Sequence, residues 1–178
     1  SSFVNWGQFF ETDKRVLINL ANWCQDNNKF IHIAGRTNNI KENEFFNDVL
    51  KTYKCWKFFP KINFVSSYSL INKAQCTVSI CSTLGVEALA RGFRVIFISR
   101  KPELKLKSSS FGWPNKFSEE GFFWTNLKEP ESTNKLLSNV TNCSDVVWKK
   151  ETKPFLTKLM HYDYGNKNFK KIINQLLK

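Results

Sequence analysis

Ser82, Thr83 and Glu87 are the residues of this chain whose types and spacing best suit chemistry on a ligand. A serine and a threonine at the head of a helix offer two hydroxyls beside unpaired backbone N–H groups at a positive helix end, which suits a phosphate. Thr83 and Glu87 are four residues apart and therefore share a helix face. A carboxylate one turn below such a site repels phosphate but accepts hydrogen bonds from both hydroxyls of a ribose, so the two roles separate in space. An ordinary N-cap with one solvated glutamate fits the same residues equally well, since caps of this kind are common.

The elements that must position these side chains form a strand–helix–strand unit over 74–99. Residues 75–80 alternate and are rich in β-branched side chains, which predicts a strand. Ser82 stands where an N-cap belongs and Gly92 where a helix-terminating glycine belongs. Residues 94–98 are nearly all apolar, as in a strand buried on both faces of a parallel sheet. The helix then starts at the carboxyl edge of the sheet, where open α/β sheets bind ligands. Gly35 and Arg36 follow an earlier strand at the same edge. Arg36 can fork two hydrogen bonds to a phosphate or pair with a surface carboxylate.

Around this unit, strands are predicted at 30–34 and 56–59, with 122–125 as a further candidate. Helices are predicted from a Thr12 or Asp13 cap onward, over 43–53, from a Ser66 cap, over 130–140, 152–160 and 166–177, with Asp163 and Asn166 as caps. Residues 1–10 read as the remains of a linker. His32 falls in a short buried strand and reads as a packed structural histidine. Phe122 and Phe123 read as core, and the basic loop 102–114, with Trp113 at its end, as a mobile lid at the site edge. Alternating strands and helices predict an α/β fold, a three-layer αβα Rossmann-like domain with a mostly parallel sheet, spanning 1–178 as one domain with C-terminal helices over about 150–177.

Composition bounds the function. The 178 residues include 27 Lys+Arg against 15 Asp+Glu, a net charge of +12, which implies an anionic partner: a nucleotide, a nucleic acid or an anionic membrane surface. No apolar run reaches membrane-spanning length and no signal peptide is visible. Five cysteines without a CxxC pair predict reduced thiols in a cytoplasmic setting, and two histidines make a His-based metal centre unexpected. There is no GxGxxG and no Walker loop, which argues against dehydrogenases and P-loop ATPases.

At Ser67–Ile71, Ser82–Gly92 and Phe111-Gly112-Trp113-Pro114 the chain resembles the carboxyl-terminal half of GT-B fold glycosyltransferases, in particular bacterial surface-carbohydrate (capsule or lipopolysaccharide) biosynthesis proteins. The resemblance implies a donor-binding Rossmann-like domain for a nucleotide sugar, UDP-, CMP- or GDP-linked, with no obligatory metal. It implies donor phosphate at Ser82, Thr83, Leu84 and Gly85, ribose at Glu87, and the base beside the loop holding Phe64 and Val65. Many relatives that use CMP-linked donors carry His-Pro at the end of the first strand. Here Ala34-Gly35-Arg36 stands there, with Arg36 as the substitute phosphate contact.

The amino-terminal acceptor domain, which often supplies the catalytic base, is expected to be missing from a chain that starts without Met. No catalytic residue is therefore assigned, and the chain alone is expected to be inactive. The implied partners are the nucleotide sugar, a glycan or lipid-linked acceptor and a peripheral contact with the inner face of the membrane. Competing readings are a sugar-nucleotide epimerase of related fold and a basic nucleic-acid-binding module, although no nucleic-acid motif is present.

Overall fold

The structure is a computed structural model that describes residues 6–80, 82–99, 110–112, 117–160 and 162–177. Seven α-helices and five strands are described: α1 (Trp6–Asp26), β1 (Ile31–Ala34), α2 (Ile40–Leu50), β2 (Trp56–Phe59), α3 (Ser66–Lys73), β3 (Thr77–Ser79), α4 (Thr83–Ala90), β4 (Val95–Ile98), β5 (Trp124–Thr125), α5 (Pro130–Asn142), α6 (Asp145–Leu159) and α7 (Lys167–Leu176). Every strand pairs in parallel, β1 with β2 and, separately, β3 with β4 and β4 with β5. Parallel neighbours require crossovers, and each is made by a helix or a long connection.

The α/β arrangement is Rossmann-like, with helices on both faces. On one side α1 packs on α2 and α5, and α5 covers β4 and β5; on the other, α4 covers β3 and β4 and meets α6. The sheet expected to be continuous is hydrogen-bonded as two ladders. α3 lies against β1 on its way from β2 to β3. With only three residues in β3 and four in β1, few backbone groups are placed to join the two ladders.

Several boundaries differ from the sequence expectation. The first helix begins at Trp6, with Thr12 buried inside it and not at its cap; a cap-type residue permits a start but does not force one, and no proline stands before it. α2 begins at Ile40 because Asn39 caps it, its side chain accepting from the Lys41 amide at 2.9 Å. α6 begins at Asp145 behind a Ser144 cap that accepts from the Val147 amide at 3.3 Å. His32 is exposed, not core: β1 belongs to a two-stranded ladder with one open face, so Ile31 turns inward while His32 lies against the rings of Phe30 and Phe59. The lid expectation over 102–114 falls mostly outside the described residues; Phe111, within them, stacks on Phe97 at 4.3 Å and closes the core.

β4 is buried along its whole length, and Phe97, Phe123, Trp124, Trp148 and Phe155 form an aromatic core beside it. The buried indoles are satisfied: Trp23 donates to the Ser138 hydroxyl at 3.2 Å, Trp124 to the Ser118 carbonyl at 3.0 Å and Trp148 to the Gly92 carbonyl at 3.3 Å. Burial, reinforced by Cys55, pushes the Cys24 thiol up to about 11, and burial pushes Cys76 up to about 12 against the opposing pull of Arg94. Both therefore stay protonated in the folded chain at pH values where the unfolded thiols, with an ordinary value of 9.0, ionise. Their contribution is fully present below 9.0 and falls away as pH rises from there towards about 12. Urea midpoints measured across that window should fall more steeply for the native chain than for a Cys24→Ser/Cys76→Ser variant; parallel curves would contradict the burial.

Candidate functional site

The turn from β3 into α4 is built by short side chains. The buried Ser79 hydroxyl accepts from the Ser82 amide at 3.3 Å and donates to the Ser82 carbonyl at 3.4 Å. Ser82 takes the extended N-cap conformation (φ −91°, ψ 134°) and its hydroxyl accepts from the Leu84 amide at 3.2 Å. The Gly85 amide donates to the Ser82 carbonyl at 3.0 Å. Ser82 and Thr83 are both exposed. Of the four N–H groups from Ser82 to Gly85, three are thus bonded within the turn, and Thr83 presents its amide and hydroxyl at the open helix end without a partner among the described residues.

Gly85 has a packing role at this place. A Cβ there would lie 2.5 Å from the Ser79 Cβ and 3.1 Å from Phe97 Cε1, so the residue lets α4 sit directly on β3 and β4. Alanine has the better helix propensity by about 1 kcal/mol, but the clash is with an atom fixed to the strand. Gly85→Ala should cost about 1–3 kcal/mol net, a drop of several degrees in Tm by thermal melt. An unchanged or higher Tm would show that the helix seat can shift.

Glu87, one turn along, is half-buried, and the Tyr68 hydroxyl donates to its Oε2. Its Oε1 has no partner among the described residues. That hydrogen bond, with some burial, raises the Tyr68 phenol above its ordinary value, so the tyrosine remains a donor at neutral pH. Arg91, the C-cap of the same helix, lies over the rings of Tyr68 (5.6 Å) and Phe93 (5.0 Å) and donates to Asn72 Oδ1 at 3.3 Å. Tyr68, Glu87, Arg91, Met160 and Tyr162 line an open pocket of about 310 Å³. A carboxylate with one oxygen held by a phenol and the other free can receive a vicinal diol. The neighbouring rings offer flat apolar walls.

Phe64 and Val65 are exposed in the turn after β2, ahead of α3. Ser66, expected as the cap of α3, is its first residue; its hydroxyl accepts from the Ile62 and Asn63 amides and donates to Asn63 Oδ1, which knots the turn. A second open pocket, of about 360 Å³, lies there between Phe59, Lys61, Asn63, Val65, Ser66 and Lys73. Lys61 sits 5.7 Å from the centre of the Phe64 ring.

Arg36 is exposed after β1. Glu42 takes the backbone amides of Arg36 (2.8 Å) and Thr37 (2.9 Å) and the Thr37 hydroxyl (2.9 Å). The chain's own carboxylate therefore fills the backbone anion niche of that loop, and Arg36 can meet a ligand only through its guanidinium. The Lys61 amide donates to the Thr37 carbonyl at 3.0 Å, tying the Arg36 loop to the turn that carries Phe64 and Val65.

The structure thus brings Arg36, Phe64 and Val65 to one ladder's carboxyl edge, and Ser82, Thr83, Leu84, Gly85 and Glu87 to the end of β3 and along α4. Among the described residues no hydrogen bond or ion pair joins Arg36 to the α4 group. Tyr68, Arg91 and Tyr162 carry no assigned role on sequence grounds. The i, i+4 spacing of Glu87 and Arg91 could have signalled the second of these. Among the described residues no three His, Cys, Asp or Glu side chains are grouped to hold a metal ion.

The class this geometry defines is a Rossmann-like α/β protein with its open pockets at turns that follow parallel strands and along α4. A family described as "putative O-antigen biosynthesis protein" matches residues 1–177, and the chain belongs to that family, which associates it with the making of surface carbohydrate. No curated protein and no solved structure matches it. No described helix is long and apolar enough to cross a membrane.

Proposed function

We propose that this chain binds the sugar-nucleotide donor of a glycosyltransferase in O-antigen biosynthesis, working with an acceptor-binding domain. The observation that carries the reading is Glu87: it lies one turn below the open N-terminus of α4, on a pocket wall, with Tyr68 fixing one oxygen and the other free. Family membership supports the carbohydrate setting. The donor phosphates would meet the Thr83 amide and hydroxyl at the positive end of α4, which contributes about 1 kcal/mol and up to about 2 kcal/mol when partly buried. The Arg36 guanidinium would add a charged contact from the neighbouring ladder. As the sugar transfers, negative charge grows on the leaving phosphate, and fixed donors of this kind stabilise it without requiring a metal. The ribose diol would sit on Glu87.

Calorimetric titration of the chain with UDP-, CMP- and GDP-sugars, repeated in a chelator, tests this. Saturable binding of one nucleotide class, retained in chelator, is expected. Absence of heat with all three, in a chain shown to be folded by circular dichroism, would remove the proposal.

A further inference from the structure

α7 is a helix without a cover. Phe169, Ile172, Ile173 and Leu176 recur at the spacing that places them on one face, and Leu177 extends it. None of the helix's residues is buried: Phe169 is 61% exposed, Ile172 54% and Leu176 76%. Its start is well made. Gly165 (φ 71°) and Asn166 (φ 54°) turn the chain sharply, and the Asp163 carboxylate accepts from the amides of Asn168 (2.9 Å) and Phe169 (3.3 Å). Ten residues held by a cap alone form a marginal helix in water, so the apolar face calls for a partner.

Charge says which partner. Lys167, Lys170 and Lys171, with Asn168, Asn174 and Gln175, occupy the rest of the helix surface, and the helix holds no acidic residue. At helical spacing Lys167 and Lys171 fall opposite the apolar face and Lys170 at its edge, and no carboxylate within the helix pairs them. An anionic lipid surface supplies the missing negative charge. Tyr162 and Tyr164, both exposed just before the helix, are of the type that settles at headgroup depth. The geometry points to α7 as an interfacial anchor: it lies in the plane of a bilayer surface rich in anionic lipid, its Phe–Ile–Leu face at the acyl boundary and its lysines among the headgroup phosphates. This stands on α7 and the tyrosines before it and does not depend on the sugar-nucleotide reading.

The test is co-sedimentation of the whole chain with vesicles of phosphatidylcholine alone and of phosphatidylcholine mixed with phosphatidylglycerol. Binding to the mixed vesicles, and little to the neutral ones, is expected. Lys167→Gln/Lys170→Gln/Lys171→Gln should weaken it on the order of a hundredfold, and Ile172→Ser/Ile173→Ser about tenfold or more. Both variants should melt close to the native chain, because no residue of α7 is buried, and should titrate donor unchanged, which separates this result from any failure at the α4 site. Native chain that stays in the supernatant with anionic vesicles, or variants that bind as well as it does, would overturn the inference. So would a dimer that the isoleucine variant dissociates, which would give the face to a second copy.

Discussion

Phe123→Ala is expected to lower stability by about 3–5 kcal/mol, a fall of roughly 6–20 °C in Tm for a chain of this size. Phe123 is fully buried, and its ring lies 5.0 Å from Trp124, 5.4 Å from Phe155, 5.7 Å from Phe111, 5.9 Å from Trp148 and 6.2 Å from Phe97. Those rings come from the segment around β4 and β5 and from α6, so no single element can move to fill the void. A cavity so shared collapses poorly, which places the cost at the upper end for large-to-small changes. The loss reaches the site as well: Phe97 backs Gly85, and Gly85 seats α4. Donor binding should therefore weaken secondarily, recovering as temperature is lowered below the variant's melt. Phe64→Ala, at a residue 89% exposed, is the control and should leave Tm within a degree or two. A Phe123→Ala chain melting with the native one would show that the aromatic cluster is not where the domain is held together.

What could be read from the residues and what could not divides along physical lines. The unit around α4 was legible because each signal is local: β-branched residues in β3, a serine cap, a glycine after the last turn and an apolar run in β4. The Ser82 cap and the four-residue strand over 95–98 follow from those signals alone. The ends of α1 and α6 were not legible, because capping residues permit starts at more than one place and tertiary burial chooses among them. Asn39 with Glu42 three residues on is a start signal that sequence spacing does carry, and it places the helix ahead of the apolar period over 43–53. The company of Glu87 was the least legible part. Tyr68 is nineteen residues away and reaches it only because α3 lies beside α4, and Tyr162 arrives from the segment after α6. His32 shows the reverse error. An apolar stretch around it predicts a core strand, whereas the ladder it joins has an open face.

Replacing Glu87 should separate the ligand role of this residue from a structural one. Glu87→Ala removes the carboxylate that would hold the ribose diol. Hydrogen bonds to a charged group are worth about 1.5–3 kcal/mol, so binding of the nucleotide sugar should weaken about ten- to a hundredfold. The fold should survive. Glu87 is half-buried, and its partner Tyr68 is open enough for water to replace the lost acceptor, so Tm should fall by no more than a few degrees. Glu87→Gln sharpens the test. The amide oxygen can still accept from Tyr68, which keeps the local geometry, but the diol loses its charged acceptor. Binding should therefore drop nearly as far as in the alanine variant while Tm stays native. Tyr68→Phe should give a smaller loss, because it frees the carboxylate to rotate without removing it. If instead Glu87→Ala melts much earlier and the folded fraction binds donor as tightly as the native chain, the Tyr68–Glu87 pair is a brace between α3 and α4. The pocket beside it would then have no part in holding a sugar nucleotide.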